Sequence, residues 1–125
     1  MTKIFLSGPI SGAKDYKERF LAAEFFLEKI YDEEVSILNP AMNPDGLRPA
    51  DYMRLSFAMI DAADVISVMP GWANSRGAVL EVMYALYIDK PVLETYTGRE
   101  VEISSNGGVP VFLSHSVGGV WVKEN

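Results

Sequence analysis

One segment, residues 61–88 (DAADVISVMPGWANSRGAVLEVMYALYI), limits what this chain can fold into more than any other part of it. The short apolar run at 65–69 is rich in β-branched residues and ends at Pro70-Gly71, which predicts a buried strand. A sharp turn over 70–75 follows. Apolar residues at helical spacing then predict a helix over 76–88; they are Val79, Leu80, Met83, Leu86 and Tyr87. A strand, a tight turn and a helix in this order are typical of α/β proteins.

The start of that helix has the features of an anion site. Asn74 or Ser75 can cap its first N–H groups, and the amides there face whatever lies beyond the strand end. Gly77 falls in the first turn, where a missing side chain lets a ligand approach. Glu81 follows one turn later on the same face, so an anion at the helix start would lie about 7 Å from it. That is roughly the span of a sugar 5-phosphate measured to the anomeric carbon, and we expect Glu81 to face an open hollow at the sheet's edge.

Strands and helices alternate along the rest of the chain. Further strands are predicted at 4–6, 35–38 and 92–94, and further helices at 15–31 and 50–63. This alternation indicates an α/β domain with a parallel sheet. Residues 95–125 contain short β segments at 101–103, 109–113 and 120–122, separated by glycine turns, which predict a short C-terminal β extension. We expect residues 1–125 to form a single domain.

The helical periodicity also predicts which side chains are buried. On the first helix the expected apolar face consists of Phe20, Leu21, Phe25, Leu27 and Ile30. On the second helix it consists of Tyr52, Leu55, Met59 and Ile60. Asp51 is expected to cap the second helix, and Asp64 is expected to end it and turn the chain into the next strand.

Composition excludes several classes of function. The net charge is -6, whereas a general nucleic-acid binder is normally basic, so no nucleic-acid partner is expected. Cysteine is absent, and the single histidine, His115, leaves no clustered set of metal ligands, so neither a metal nor another cofactor is predicted. No apolar run reaches the length of a membrane span, and the N-terminal one is too short for a signal peptide. We therefore expect a cytoplasmic protein with no membrane partner.

The first strand ends in a turn with two glycines, Ser-Gly-Pro-Ile-Ser-Gly at 7–12. Gly8 and Gly12 can bring the backbone close to a ligand, although an ordinary βα turn has the same composition. The spacing matches neither a dinucleotide fingerprint nor a P-loop, so neither is predicted. The loop 41–49, which contains an Asn-Pro-Asp-Gly turn, either covers a site or merely connects two elements.

Three parts of the sequence together resemble one known superfamily. KIFLSGPISG at the first strand, Asn39-Pro40 after the second, and ADVISVMPGWANSRGAVLEVMYAL in the central unit are similar to the nucleoside 2-deoxyribosyltransferase superfamily. The closest branch is that of small phage and bacterial domains of unknown function, related to nucleotide N-glycosidases. The resemblance covers residues 3–94, and its most specific part is the Pro-Gly-Trp turn followed by Ser75, Gly77 and Glu81.

The resemblance implies a flavodoxin-like or Rossmann-like fold, with helices on both faces of the sheet. It also implies cleavage or transfer of the N-glycosidic bond of a nucleoside or nucleoside 5-monophosphate. Glu81 would be the nucleophile that attacks the anomeric carbon and forms a glycosyl-enzyme, which water or another base then resolves. Ser75 and the amide of Gly77 resemble the superfamily's contacts to the 5-phosphate or 5-hydroxyl group. The residues that would line the base and sugar pocket are Gly8, Pro9 and Ile10.

Two positions depart from the superfamily's pattern. Relatives usually carry Tyr in the first strand where this chain has Phe5, so a hydroxyl near the nucleophile is lost. Relatives usually carry Asp eight residues before the Asp-Val of the central strand, where this chain has Ser56. That aspartate is associated with acid–base work or with holding the sugar, so protonation of the leaving base would come from elsewhere, for example Asp61, or from the substrate. Acid–base assistance is worth about 10²–10⁴-fold, so these two departures leave open an enzyme whose catalysis is weakened, altered or lost.

Three interpretations stay open. The first is the enzyme, and the second is a protein that binds, senses or sequesters a nucleotide-like ligand after losing the chemistry. In the third, Glu81 pairs with Arg54 or Arg76 at a subunit interface without a small ligand. Trp72, which we expect to be exposed in its loop, would stack on a base or pack against a neighbour. The resemblance and the apolar residues of the central helix lead us to expect a homodimer or homotetramer.

Overall fold

The computed structural model describes residues 1–101 in full and, beyond them, the backbone of strand residues 102, 104–106, 109–111, 116–117, 120–121 and 123–124. Strands and α-helices alternate through residues 1–94; they are β1 (Thr2–Ser7), α1 (Tyr16–Ile30), β2 (Val35–Leu38), α2 (Pro49–Ala62), β3 (Val65–Val68), α3 (Arg76–Tyr87) and β4 (Val92–Glu94). Short 3-10 helices, Pro40–Met42 and Trp72–Asn74, lie after β2 and β3. The predicted α/β architecture is confirmed, and each boundary in this part is within two residues of its prediction.

The strands β1 to β4 form one parallel sheet in the order β2-β1-β3-β4. β1 is central, because it pairs with β2 along residues 2–5 and with β3 along residues 4–7. The loop after β1 leads to α1 on one face of the sheet, and the loop after the neighbouring β3 leads to α3 on the other. In open parallel sheets, ligands bind in the crevice where adjacent loops diverge in this way.

Helices cover both faces of the sheet, as the Rossmann-like prediction requires. One core lies between α1 and the sheet and contains Ile4, Leu6, Phe20, Ala23 and Leu27. The other lies between the sheet and α2 and α3 and contains Phe5, Ile60, Ile66, Val68 and Val82. Successive side chains of a strand point to opposite faces, so β1 sends Ile4 and Leu6 into the first core and Phe5 into the second.

The buried faces of the helices differ in part from those predicted. The large apolar side chains that are exposed instead of buried are Leu21, Phe25 and Ile30 of α1, Leu55 of α2, and Leu80 and Tyr87 of α3. Smaller residues take several of the buried positions, among them Ala23, Ala78 and Ala85. The burial prediction was wrong for Leu21, Phe25, Ile30 and Leu55, because each helix has more apolar residues than one buried stripe holds and periodicity does not say which stripe faces the sheet.

Two aspartates act at the boundaries of α2 and β3. Asp51 caps α2 as predicted, since its carboxylate accepts a hydrogen bond from the N–H of Arg48 at 3.3 Å. Asp64 accepts a hydrogen bond from the N–H of Lys3 at 2.8 Å and so ties the entrance of β3 to β1.

Beyond β4 the chain forms short antiparallel strand pairs. β5 (Val101–Glu102) pairs with β10 (Lys123–Glu124), β6 (Ser104–Asn106) with β7 (Val109–Val111), and β8 (Ser116–Val117) with β9 (Val120–Trp121). The predicted C-terminal β extension is therefore present, while Ile103, His115 and the predicted glycine turns lie outside the described residues. In the part of the chain that the structure describes, no helix has the length and apolar character needed to cross a membrane.

Two phenylalanines on α1 test the corrected packing. We expect Phe20→Ala to lower the free energy of unfolding by about 3–5 kcal/mol, because this ring is fully buried. Phe25→Ala removes the same ring from the same helix, where it is 58% exposed, and should cost less than about 1 kcal/mol. Urea unfolding of both variants measures the difference. Equal losses would contradict the placement of α1 on the sheet.

Candidate active site

Glu81 lies in α3 on the side that packs against the sheet. Its side chain is enclosed, with 8% exposed, so the prediction that it faces an open hollow is wrong for the carboxylate itself. Ser7, the last residue of β1, donates a hydrogen bond from Oγ to Glu81 Oε1 at 2.7 Å. Ser56 on α2 also lies beside this carboxylate, close enough for its hydroxyl group to lower the pKa of Glu81. Three elements therefore converge on one acidic group at the carboxyl end of the central strand.

Burial dominates the electrostatics of Glu81. It raises the pKa of the Glu81 carboxyl above its usual value, because the ionised form loses its hydration. Hydrogen bonds from Ser56 and Ser7 lower this pKa, though by less. Within the chain, Arg54 pairs with Asp51 at 3.0 Å and not with Glu81. Among the fully described residues, no ion pair reaches Glu81, so hydroxyl groups stabilise its charge there.

Two turns meet at this edge of the sheet. Gly71 has a φ of 84°, and a Cβ on it would lie 3.4 Å from Pro9 Cγ of the turn after β1. A Cβ on Gly8 would lie 3.0 Å from Cβ of Met69. Gly8 is thus required by the packing of the first turn against the end of β3, without reference to a ligand. Ile10 of the same turn is half-buried against the α1 core.

The first turn of α3 has the predicted cap. Ser75 is the N-cap residue, and its Oγ accepts a hydrogen bond from the N–H of Ala78 at 3.3 Å. Gly77 follows in the first turn, and a Cβ on it would be in ordinary contact with Met53 Cε at 3.7 Å. Among the described residues, the space around Gly77 would therefore accept a methyl group, and their packing does not account for this glycine.

Asp61 lies away from Glu81. It is in the last turn of α2, five residues beyond Ser56 and so about 7.5 Å further along the helix axis. Its Oδ1 accepts a hydrogen bond from Tyr84 Oη at 2.6 Å, and its carbonyl oxygen accepts one from Lys90 Nζ at 3.1 Å. Since α2 runs antiparallel to the strands, its last turn lies at the amino ends of the strands, whereas Ser7 and Glu81 meet at the carboxyl end of β1. The structure does not bring Asp61 and Glu81 together.

Two predicted ligand contacts, Trp72 and Phe5, are core residues. Trp72 is 6% exposed, so the prediction of an exposed loop tryptophan is wrong; the 3-10 helix after β3 turns its indole into the core beneath α2 and α3. Phe5 is fully buried in the same core.

Ser7 is the residue that sequence reasoning missed. Strand periodicity contained the signal, because residues two apart point to the same face and Phe5 and Ser7 therefore share the face that α3 covers. A buried hydroxyl needs a partner, and Glu81 is that partner. A hydroxyl group is therefore present beside Glu81 at Ser7, two residues further along the strand than Phe5.

A groove of about 190 Å³ lies elsewhere, on the α1 side of the sheet beside β3 and β4. Its lining includes Leu27, Val65, Leu93 and Tyr96, and Glu81 lies on the opposite face of the sheet. We therefore separate this groove from the candidate site. Among the described residues, no group of three or more histidine, aspartate or glutamate side chains lies close enough to hold a metal ion.

Comparison with known proteins gives a family match and a fold match. A family described as "Domain of unknown function (DUF4406)" matches residues 2–94. The CMP N-glycosidase BcmB of Clostridium botulinum is similar in structure, with 20% identity and a TM-score of 0.55 over 74% of this chain and 70% of that one. A 2-desoxiribosyltransferase from Leishmania mexicana is 19% identical, with a TM-score of 0.58 over 98% of this chain and 79% of that one. No curated protein sequence matches the chain. At these identities the structural likeness shows a shared fold.

The raised pKa of Glu81 predicts a pH-dependent effect of Glu81→Gln on stability. A carboxyl whose folded-state pKa is raised contributes stability below its unfolded pKa, and this contribution is lost as the pH rises through the folded pKa. Glutamine remains neutral at every pH, so the variant should have the higher melting temperature at mildly alkaline pH. The gain should shrink as the pH falls. Thermal unfolding across a pH series measures this.

Glu18→Gln, on the exposed side of α1, is the control that removes the same charge from the surface. A gain for Glu81→Gln that is independent of pH, or largest in acid, would contradict the burial of an ionisable Glu81.

Proposed function

The chain belongs to the DUF4406 family, and from that premise we propose that it cleaves or exchanges the N-glycosidic bond of a nucleoside or nucleoside 5-monophosphate, with Glu81 as the nucleophile. The observation that carries the proposal is the enclosed carboxylate of Glu81, held by hydroxyl groups at the edge of the sheet where this fold binds ligands. The two similar solved structures, an N-glycosidase and a deoxyribosyltransferase, support glycosyl chemistry in general.

The proposed reaction has two steps. Ionised Glu81 attacks the anomeric carbon as the bond to the base breaks, and a glycosyl ester forms. Water or a second base then takes the glycosyl group and releases the carboxylate. Ser7 and Ser56 hold the carboxylate in one orientation and favour its ionised form, which the attack requires. Their hydrogen bonds act against the effect of burial on the pKa of Glu81.

The start of α3 is the proposed position of the 5-phosphate or 5-hydroxyl group. The free N–H groups of the first turn, at Arg76 and Gly77, are the kind of donors that bind anions at helix N-termini, and Ser75 lies beside them. From there Glu81 is about 7 Å along the helix, which suits a sugar placed between the two. We place the sugar and base against the neighbouring turn that contains Pro9.

A second function, ligand binding without turnover, is favoured by one observation. Asp61, the carboxyl group that could have served as the acid, accepts a hydrogen bond from Tyr84 near the amino ends of the strands. If no other group protonates the leaving base, the chain would keep a nucleotide site with little or no catalysis. Such a protein would sense or sequester its ligand.

Turnover by the wild-type protein tests the first function. Incubation with nucleosides, 5-monophosphates and acceptor bases should release free base or form a new nucleoside. Glu81→Gln should lower turnover by at least about 10²-fold, the lower range for a positioned catalytic group. A 2-fluoro sugar analogue, which slows the second step, should leave a glycosyl mass on the peptide that contains Glu81. Chromatography and mass spectrometry give the two readouts.

Glu24→Gln is the control, since Glu24 is a half-buried glutamate away from the site that accepts a hydrogen bond from Asn39 at 3.2 Å, and this variant should keep full turnover. Thermal stabilisation by a nucleotide without turnover would favour the binding function. Neither stabilisation nor turnover would overturn both.

We also propose a homodimer or homotetramer assembled through the outer face of α2 and α3. Leu80 and Tyr87 of α3 are 50% and 84% exposed, and Leu55 of α2 is 37% exposed, so this face carries large apolar side chains. Light scattering at micromolar concentration should show an oligomer, and Leu80→Glu should reduce it to a monomer. Leu21→Glu, on the exposed side of α1, is the control that keeps the oligomer. A monomeric wild-type protein contradicts the proposal.

A further inference from the structure

We infer, on the premise that Glu81 is the nucleophile proposed above, that the site is suited to nucleosides or nucleotides whose base carries a fixed positive charge, such as a pyridinium or an N7-alkylated purine. The geometry that points to this is the surroundings of Glu81. The hydroxyl groups of Ser7 and Ser56 lie beside its carboxylate, and in the described part of the chain no second carboxyl group does.

The charge of the base decides whether the reaction needs an acid. When the bond from the anomeric carbon to the ring nitrogen breaks, its electron pair stays on the nitrogen. A neutral base would leave as an anion and so has to be protonated by a general acid, which is worth about 10²–10⁴-fold. A base with a fixed positive charge is neutralised by the same electron pair and leaves without a proton.

The side chains closest to Glu81 are poor acids. Ser7 and Ser56 are the hydroxyl groups that hydrogen-bond to it, and an aliphatic hydroxyl does not release a proton near neutral pH. Ser7 already points its proton at Glu81 Oε1 over 2.7 Å. Neither serine is therefore able to protonate a leaving base.

The carboxyl groups of α2 are displaced from Ser56 in both directions. Asp51 and Asp61 lie five residues before and after it, about 7.5 Å along the axis in each case. Asp51 accepts hydrogen bonds from Arg48 and Arg54, and its Arg48 hydrogen bond holds the pKa of this exposed carboxyl below its usual value, which keeps it ionised. Asp61 accepts a hydrogen bond from Tyr84 near the amino ends of the strands.

The other elements packed on α3 bring no acid to Glu81 in the described residues. On β4, Glu94 accepts a hydrogen bond from Thr97 at 2.8 Å. On β1, Lys3 lies at the far end of the strand and is exposed. Arg76, at the start of α3, is exposed and always protonated.

A cationic base would also supply the positive charge that Glu81 lacks. An enclosed carboxylate without a cationic partner is costly to ionise, and a nearby positive charge favours the ionised form. Binding of such a base would therefore ionise the nucleophile in the step that brings the anomeric carbon to it.

The balanced reaction needs no further reactant besides water. A Glu81 oxygen forms a bond to the anomeric carbon while the carbon–nitrogen bond breaks, and the base departs neutral. Water then attacks the same carbon, the ester bond breaks, the electron pair returns to Glu81, and the proton from water passes to solvent.

Two matched pairs of nucleotides test the inference. One is nicotinamide mononucleotide with its uncharged 1,4-dihydro form, and the other is 7-methylguanosine 5-monophosphate with guanosine 5-monophosphate. Each kcat/KM is divided by that nucleotide's uncatalysed rate. We expect the charged member of at least one pair to exceed its neutral partner by at least about 10²-fold. Which pair responds distinguishes a pyridinium from a purine substrate.

Installing an acid at position 56 gives an independent readout. Ser56→Asp should raise kcat/KM for the neutral nucleotides, with a new loss of rate at high pH, and should not raise it for the charged ones. Ser56→Asn, of the same shape but without an acidic proton, should give no such gain. In addition, Glu81→Gln should bind the charged and neutral members of a pair with equal Kd, because the variant lacks the negative charge.

The outcomes separate this inference from the proposed function. Glu81-dependent cleavage of charged and neutral nucleotides at similar corrected rates overturns the inference and leaves the nucleophile in place. Loss of turnover of neutral nucleotides in His115→Ala would identify an acid in the C-terminal segment and overturns it as well. No Glu81-dependent turnover of any of the four nucleotides overturns both.

Discussion

The enclosure of one carboxylate organises this structure. Ionised Glu81 loses hydration where α3 meets the sheet, and an unsolvated charge is tolerated only when hydrogen bonds replace the lost water. The fold supplies them from β1 through Ser7 and from α2 through Ser56. Serines at these buried positions contribute little to apolar packing, so their presence is explained by the carboxylate. Glu81 and its two hydroxyl partners thus link three elements, in addition to the hydrogen bond from Tyr84 to Asp61 that joins α3 to α2.

The topology explains why this cluster lies at an edge rather than in the middle of the core. β1 and β3 are neighbours whose loops leave toward opposite faces, and the gap between those loops brings the end of β1 beside the start of α3. Close approach of Gly8 to Met69 and of Gly71 to Pro9 then fixes the distance between the two turns. Contacts within the chain position the two turns. In the part of the chain that the structure describes, such contacts do not fill the space beside Gly77.

The positions of the strands and helices could be predicted from the sequence, but the face that each helix turns toward the sheet could not. Alternation of apolar runs located the strands and helices because turn residues such as Pro70 and the cap at Ser75 mark the ends. It did not show that Phe20 is buried and Phe25 exposed, because both lie within the broad apolar surface of α1. Which of them is buried depends on how α1 packs against the sheet. Asp61 and Trp72 were misplaced for a related reason. Their positions depend on which way α2 runs and how the turn folds, which are tertiary properties.

The position of Glu81 on α3 was predicted from its distance to the helix start and its role from the family resemblance, but its environment required the structure. Position along a helix follows from a fixed rise per residue, whereas exposure depends on neighbours that are distant in sequence. Ser7 lies 74 residues before Glu81, and no local pattern joins them. The helix N-terminus is more than one turn from the carboxylate, where its partial charge has largely faded. Within the described residues the carboxylate is therefore held by dipoles and not by charges, so a ligand that brings a positive charge changes its ionisation more than one that does not.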